Sequence, residues 1–201
     1  MTTRRSFIGT ALAAGAATLS AAVITPGIRS TPARGTGQTD YLPLERVLFD
    51  ARFEASVRFA AAARSRSAKT SAIENSVHDL WYTDLYHHWR ERRSPIAGMT
   101  DFRSLLLLEM MAADAGMRVV HRIHHHSTGP GYRHDIFGPL ALRAELVGRM
   151  SGAHDAWAPE AAGIVTSWPS HLTTPDAGRS DILTAKRQEL DLQTPISWII
   201  C

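Results

Sequence analysis

Histidine is the residue type best placed to do chemistry in this chain, and the sequence concentrates it. Four of the ten histidines fall within His121-Arg122-Ile123-His124-His125-His126. Imidazole titrates near neutrality and is a common metal ligand through a neutral ring nitrogen. On an extended backbone successive side chains point to opposite faces, so His124 and His126 share one face, and His121 and His125 the other. His134 and Asp135 follow after a turn rich in Gly and Pro. His124, His126 and His134 thereby form a candidate nitrogen set for a zinc-like divalent ion. A solvated histidine-rich loop competes with that reading. Neither the helical His-Glu-x-x-His pattern nor a paired-cysteine spacing accompanies these residues.

A second set of groups follows short β-prone runs. The carboxylates of Asp50 and Glu74 are candidates for acid–base work, with Arg52, Gly98 and Thr100 as candidate binding positions. In open α/β sheets, ligands sit outside the carboxyl ends of the strands, which is where these residues fall. Backbone N–H groups in Gly98-Met99-Thr100, before a helix, would suit an anion. The competing reading is that strand-to-helix loops are polar anyway, their Asp, Ser and Thr residues capping helices.

The elements that would position these groups alternate. Arg46–Asp50, Thr70–Ile73, residues 94–99 and residues 117–123 read as strands. The stretches between them carry apolar residues at helical spacing. Leu105 to Leu108 with Met110 and Met111 is apolar all round, which predicts a deeply buried helix. Ser127 to Gly131 reads as a loop and Pro139 to Met150 as a helix. Ile164 to Trp168 and Ile196 to Ile200 read as strands, and Asp181 to Leu190 as a further helix. Strand–helix alternation argues for right-handed crossovers. The expected fold is α/β: a single three-layer domain over 41–201, with a mostly parallel sheet of about four to six strands.

Thr3-Arg4-Arg5-Ser6-Phe7-Ile8 precedes an uncharged, weakly apolar stretch and then a Pro/Gly/Ser/Thr-rich segment. A charged start, apolar middle and small-residue end is a secretory signal. It resembles the twin-arginine class, with Arg4, Arg5 and Phe7 as the recognition residues. Residues 1–35 then form a signal peptide and linker, and the expected destination is the periplasm or the exterior. The export machinery is one expected partner, and no permanent membrane span is expected. The formal net charge of +3 includes the signal arginines. The remaining basic clusters sit at probable helix ends, which suits the helix dipole better than a nucleic-acid surface. Cys201 is the only cysteine, so neither an internal disulfide, an all-cysteine iron–sulfur cluster nor a covalent c-type haem is open to the chain. It reads as an exposed terminal thiol, or one free to pair with another chain. No Gly-x-Gly-x-x-Gly follows the first strand, and no phosphate loop or Gly-x-Ser-x-Gly elbow occurs.

Leu80-Trp81, Ile96-Ala97-Gly98-Met99-Thr100 and Gly116-Met117-Arg118-Val119-Val120 resemble segments of twin-arginine-exported bacterial proteins with no assigned activity. The resemblance implies a shared fold and export, and supplies no catalytic residues. Two function classes follow. One is a cell-envelope binding or accessory protein, such as a partner of an exported redox enzyme. The other is a small metal-assisted hydrolase using the strand-end carboxylates and histidines.

Overall fold

Val47, Leu48 and Phe49 are branched or aromatic side chains that suit a pleated, buried surface. They form the middle of β1, Arg46–Asp50. The structure is a computed structural model that describes residues 40–74, 76–129, 131–173 and 194–201. After β1 come α1 (Glu54–Ser65), β2 (Thr70–Ile73), α2 (Val77–Leu80), a π-helical turn at Trp81–Leu85 and α3 (Tyr86–Glu91). β3 (Ile96–Thr100), α4 (Phe102–Asp114), β4 (Val119–Thr128) and β5 (Gly131–Phe137) follow. A short 3-10 turn leads into α5 (Arg143–Ala153), another at His154–Ala156 into α6 (Trp157–Thr166), and β6 (Ile196–Ile200) comes last. Local signals set several boundaries. The Ser76 hydroxyl accepts from the Asp79 N–H at 3.1 Å, and the Asp101 carboxylate accepts from the Ser104 N–H at 2.7 Å, each satisfying an orphan donor of a first helical turn. Gly116, at φ +72°, follows α4, in the left-handed conformation that commonly ends a helix.

The six strands form one sheet in the order β2-β1-β3-β6-β4-β5. β1 is parallel to β2 and β3, whereas β6 is antiparallel to both β3 and β4, and β5 is antiparallel to β4. The fold is therefore mixed α/β, but its sheet is mostly antiparallel, which corrects the expected mostly parallel one. The alternation of strands and helices does make β1 to β4 run in one direction. What it cannot reveal is that a late segment, β6, enters between β3 and β4 in the opposite sense. β5 then returns from β4 as a hairpin, the connection that antiparallel pairs allow.

Alternate strand residues feed two apolar clusters. Val47, Ala97, Met99, Ile123 and Ile199 pack with Phe59 and Ala63 of α1 and with Ala161, Ala162 and Ile164 of α6. Leu48, Ile96, Trp198 and Ile200 pack with Val77, Leu85, Trp89, Leu105 and Leu108. Each Val, Leu, Ile, Phe or Met among them contributes about 1.5–3 kcal/mol on burial. Three local expectations are corrected here. Ile164 to Trp168 is not a strand. Ile164 and Val165 close α6, whose small residues Ala158, Ala161 and Ala162 are fully buried, so packing overrides the β-branched pair. Residues 127–128, expected in a loop, extend β4, and β5 was not anticipated. α4 is not buried all round: Leu105 and Leu108 face the core while Leu106, Leu107 and Met110 are exposed. The expected signal at 1–35 and helix at Asp181 to Leu190 lie outside the described residues. Among the described residues no helix is long and apolar enough to cross a membrane.

Candidate functional site

The strand ends are occupied by their own neighbours. Asp50 ends β1 and is 1% exposed. Its carboxylate accepts from the Arg52 backbone N–H at 3.0 Å, from Arg52 Nε at 2.9 Å and from Arg52 Nη2 at 2.5 Å. Arg52 Nη2 also reaches Asp101 at 3.1 Å, so one guanidinium ties the end of β1 to the cap of α4. These bonds, those to Asp50 foremost, raise the Arg52 pKa further above its usual range. Thr100 is fully buried, accepting from Trp198 Nε1 at 3.0 Å and donating to the Asp101 carbonyl at 3.1 Å. Gly98 lies inside β3, not in a loop after it. A Cβ there would stand 2.5 Å from Cζ2 of Trp198 and 2.8 Å from the Leu48 carbonyl oxygen, so its glycine makes room for an indole. The helix start that might have taken an anion already holds the Asp101 carboxylate. Glu74 is exposed beyond β2, and among the described residues no hydrogen bond or ion pair joins it to Asp50. The structure thus brings Asp50, Arg52 and Thr100 to one edge, where they hold the sheet to α4, and leaves Glu74 apart.

A second cluster, at the start of β1, is likewise self-satisfied. Arg46 bonds Asp84 and Glu45, and His88 bridges the same two carboxylates at 3.3 Å and 2.8 Å. The buried-side guanidinium fills the place a bound cation would take.

The histidines divide by face as alternation predicts for β4, and that division separates the expected metal set. His124 and His126 stand together, their rings stacked with centroids 6.1 Å apart, and His126 Nε2 meets Asp135 at 3.1 Å. Burial pushes His124 down to about 4, with Arg122 and His126 adding to the effect. His134 is opposite His125 in the β4–β5 register, and directly opposed residues share a face. It therefore lies on the other side of the sheet from His124 and His126. Among the described residues no three His, Cys, Asp or Glu side chains converge to hold a metal ion.

What the hairpin builds instead is a hydrogen-bonded file of side chains. His125, 1% exposed, meets the fully buried Ser197 hydroxyl through Nε2 at 3.0 Å and His134 Nδ1 through its own Nδ1 at 2.9 Å. Trp157 stacks on His125 with ring centroids 4.3 Å apart, and Tyr132 packs on Trp157 at 4.9 Å. Burial holds His125 well below the ordinary imidazole range and lowers His134 as well. His134 is half-buried and lines a cleft of about 440 Å³ between β5 and the end of α5. Tyr132, Arg133, Ser151, His154 and Asp155 supply its polar groups, and Ile136, Val147 and Met150 its apolar wall. His154 at the rim has φ +43° and ψ −123°, a sparsely populated conformation for a residue with a Cβ.

No protein-family model, curated protein or solved structure matches this chain. The site must therefore be judged on its own geometry.

The sequence groups His134 with His124 and His126 as metal ligands, and the sheet sets it on the opposite face from them. His125, Ser197, Tyr132 and His154 were not singled out at all. The turn composition before Gly131 together with the Tyr132 to Phe137 alternation would have signalled the hairpin; nothing local ties Ser197 to it. Cys201 is half-buried, and its backbone pairs with Arg118 through bonds of 2.9 and 3.0 Å. Burial raises its thiol to about 11, which disfavours the thiolate.

Proposed function

We propose that this chain is an exported cell-envelope binding or accessory protein that holds a small organic ligand in the cleft between β5 and α5. The observation that carries the reading is the convergence of aromatic, imidazole, hydroxyl and apolar groups on one concavity of about 440 Å³. Concave sites that pair an apolar patch with a few placed polar groups suit small molecules, and this cleft pairs Ile136, Val147 and Met150 with a larger polar share. The strained His154 at the rim adds support, because such conformations gather at ligand sites. Of the carboxylates at the strand ends, by contrast, Asp50 is held by Arg52 and Asp101 by Arg52 and the α4 cap, while Glu74 stands apart. Export rests on the paired arginines at 4 and 5, and service to an exported redox enzyme rests on that pathway alone. In the same reading the sheet is the middle of three layers, which the two separate apolar clusters support.

The test is native mass spectrometry of untagged protein recovered from the periplasm, together with thermal shift against a panel of small organic acids and amides. A small-molecule adduct or a ligand-induced rise in Tm is expected, and Val147→Trp, which fills the cleft, should abolish it. A bare mass with no rise in Tm across the panel would overturn the reading.

A further inference from the structure

The Ser197–His125–His134 file decides which way the cleft's imidazole faces chemically. The two Nδ1 atoms lie 2.9 Å apart, so one must carry a proton and the other a lone pair. The choice is made at the buried end. Ser197 is 0% exposed, and among the described residues its hydroxyl has a single hydrogen-bond partner, His125 Nε2 at 3.0 Å. Were His125 to donate through Nε2, the hydroxyl hydrogen would be buried without an acceptor, which is the costly arrangement. With Ser197 donating to a bare Nε2, His125 must carry its proton on Nδ1 and donate to His134 Nδ1. His134 then carries its own proton on Nε2, the nitrogen not engaged by His125.

We propose that the cleft presents His134 Nε2–H as a neutral hydrogen-bond donor, fixed in that tautomer by Ser197, and that it takes a small organic molecule through a carboxylate or carbonyl oxygen. The remaining surfaces agree with such a guest. Ile136, Val147 and Met150 would cover an apolar body, and Tyr132 would stand beside a planar one. An extra proton must either reverse the Ser197–His125 hydrogen bond, burying the hydroxyl hydrogen without an acceptor, or break the bond between the two rings, so the neutral file is the favoured one. The assignment rests on the reading of the cleft as a binding site, but its chemistry can be tested separately.

Ring ¹⁵N shifts of the labelled full chain give the tautomers directly. His134 is expected protonated at Nε2 and bare at Nδ1, and His125 protonated at Nδ1. A His134 protonated at Nδ1 in the wild-type protein would overturn the donor assignment with no variant needed. In Ser197→Ala the constraint is lost, and both His134 nitrogens should move toward averaged values; unchanged shifts would count equally against the relay. Sodium benzoate is the probe for the ligand class. It should shift His134 Nε2–H and the Tyr132 ring resonances, with affinity weakened about threefold or more in Ser197→Ala. Benzoate that moves nothing at Tyr132, His134 or His154 would refute the cleft as a site. Benzoate that binds there while His134 is protonated at Nδ1 would refute the donor assignment alone.

Discussion

His121 shows what a buried imidazole does when nothing is asked of it. It is 1% exposed, packs on Trp168 with ring centroids 4.6 Å apart, and among the described residues both its nitrogens are buried without a hydrogen-bond partner. Burial pushes it down to about 3, and the Phe137 backbone, close but outside hydrogen-bond geometry, opposes only weakly. The unfolded chain takes up this proton near pH 6.5 and the folded chain does not. Stability is therefore full above about pH 6.5 and is lost as pH falls toward the folded value. By pH 5 this one residue should cost roughly 2 kcal/mol. Urea denaturation at pH 7 and pH 5 measures the loss, and His121→Leu should remove roughly 2 kcal/mol of it, while His124, at about 4, and His125, held well below the usual range, keep comparable shares. An acid dependence unchanged by His121→Leu would mean that its ring has a buried partner. His125 and Ser197 differ from His121 in that respect, since their polar atoms are matched to each other.

The elements owe their placement to a few close fits. In β3, Gly98 lets the Trp198 indole of β6 lie against the strand. Gly98→Ala would drive a methyl into that ring and toward the Leu48 carbonyl, so it should destabilise by about 1–3 kcal/mol or more, although alanine is the better residue by propensity. Thermal melts would show this as a drop in Tm; an unchanged Tm would mean that β6 can shift aside. Much of the frame was legible beforehand because its signals are local. Arg46–Asp50, Thr70–Ile73 and Ile196–Ile200 read as strands from their residues alone. What was not legible depends on partners distant in sequence. Ile164-Val165 looks like a strand until α1 supplies a face for the alanines of α6. The candidate site suffered in the same way. Alternation sorted the β4 histidines correctly, but the ring that matters meets Ser197, 72 positions away.

At the scale of the molecule, the paired arginines and the C-terminal strand bear on one another. Replacing Arg4 and Arg5 by Lys should leave the protein folded but retained in the cytoplasm; cell fractionation checks this, and undiminished periplasmic protein would remove the twin-arginine reading. In the export proposed above, the twin-arginine route carries chains already folded, and the sheet order fits that requirement. Residues 196–200 supply β6, which stands between β3 and β4 near the middle of the sheet. During translation the chain emerges in the order β1 to β5, so the slot between β3 and β4 stays empty until residues 196–200 are made. A ribosome that stalls before residue 196 would release a molecule with two raw edges, the kind of intermediate that pairs with its neighbours and aggregates.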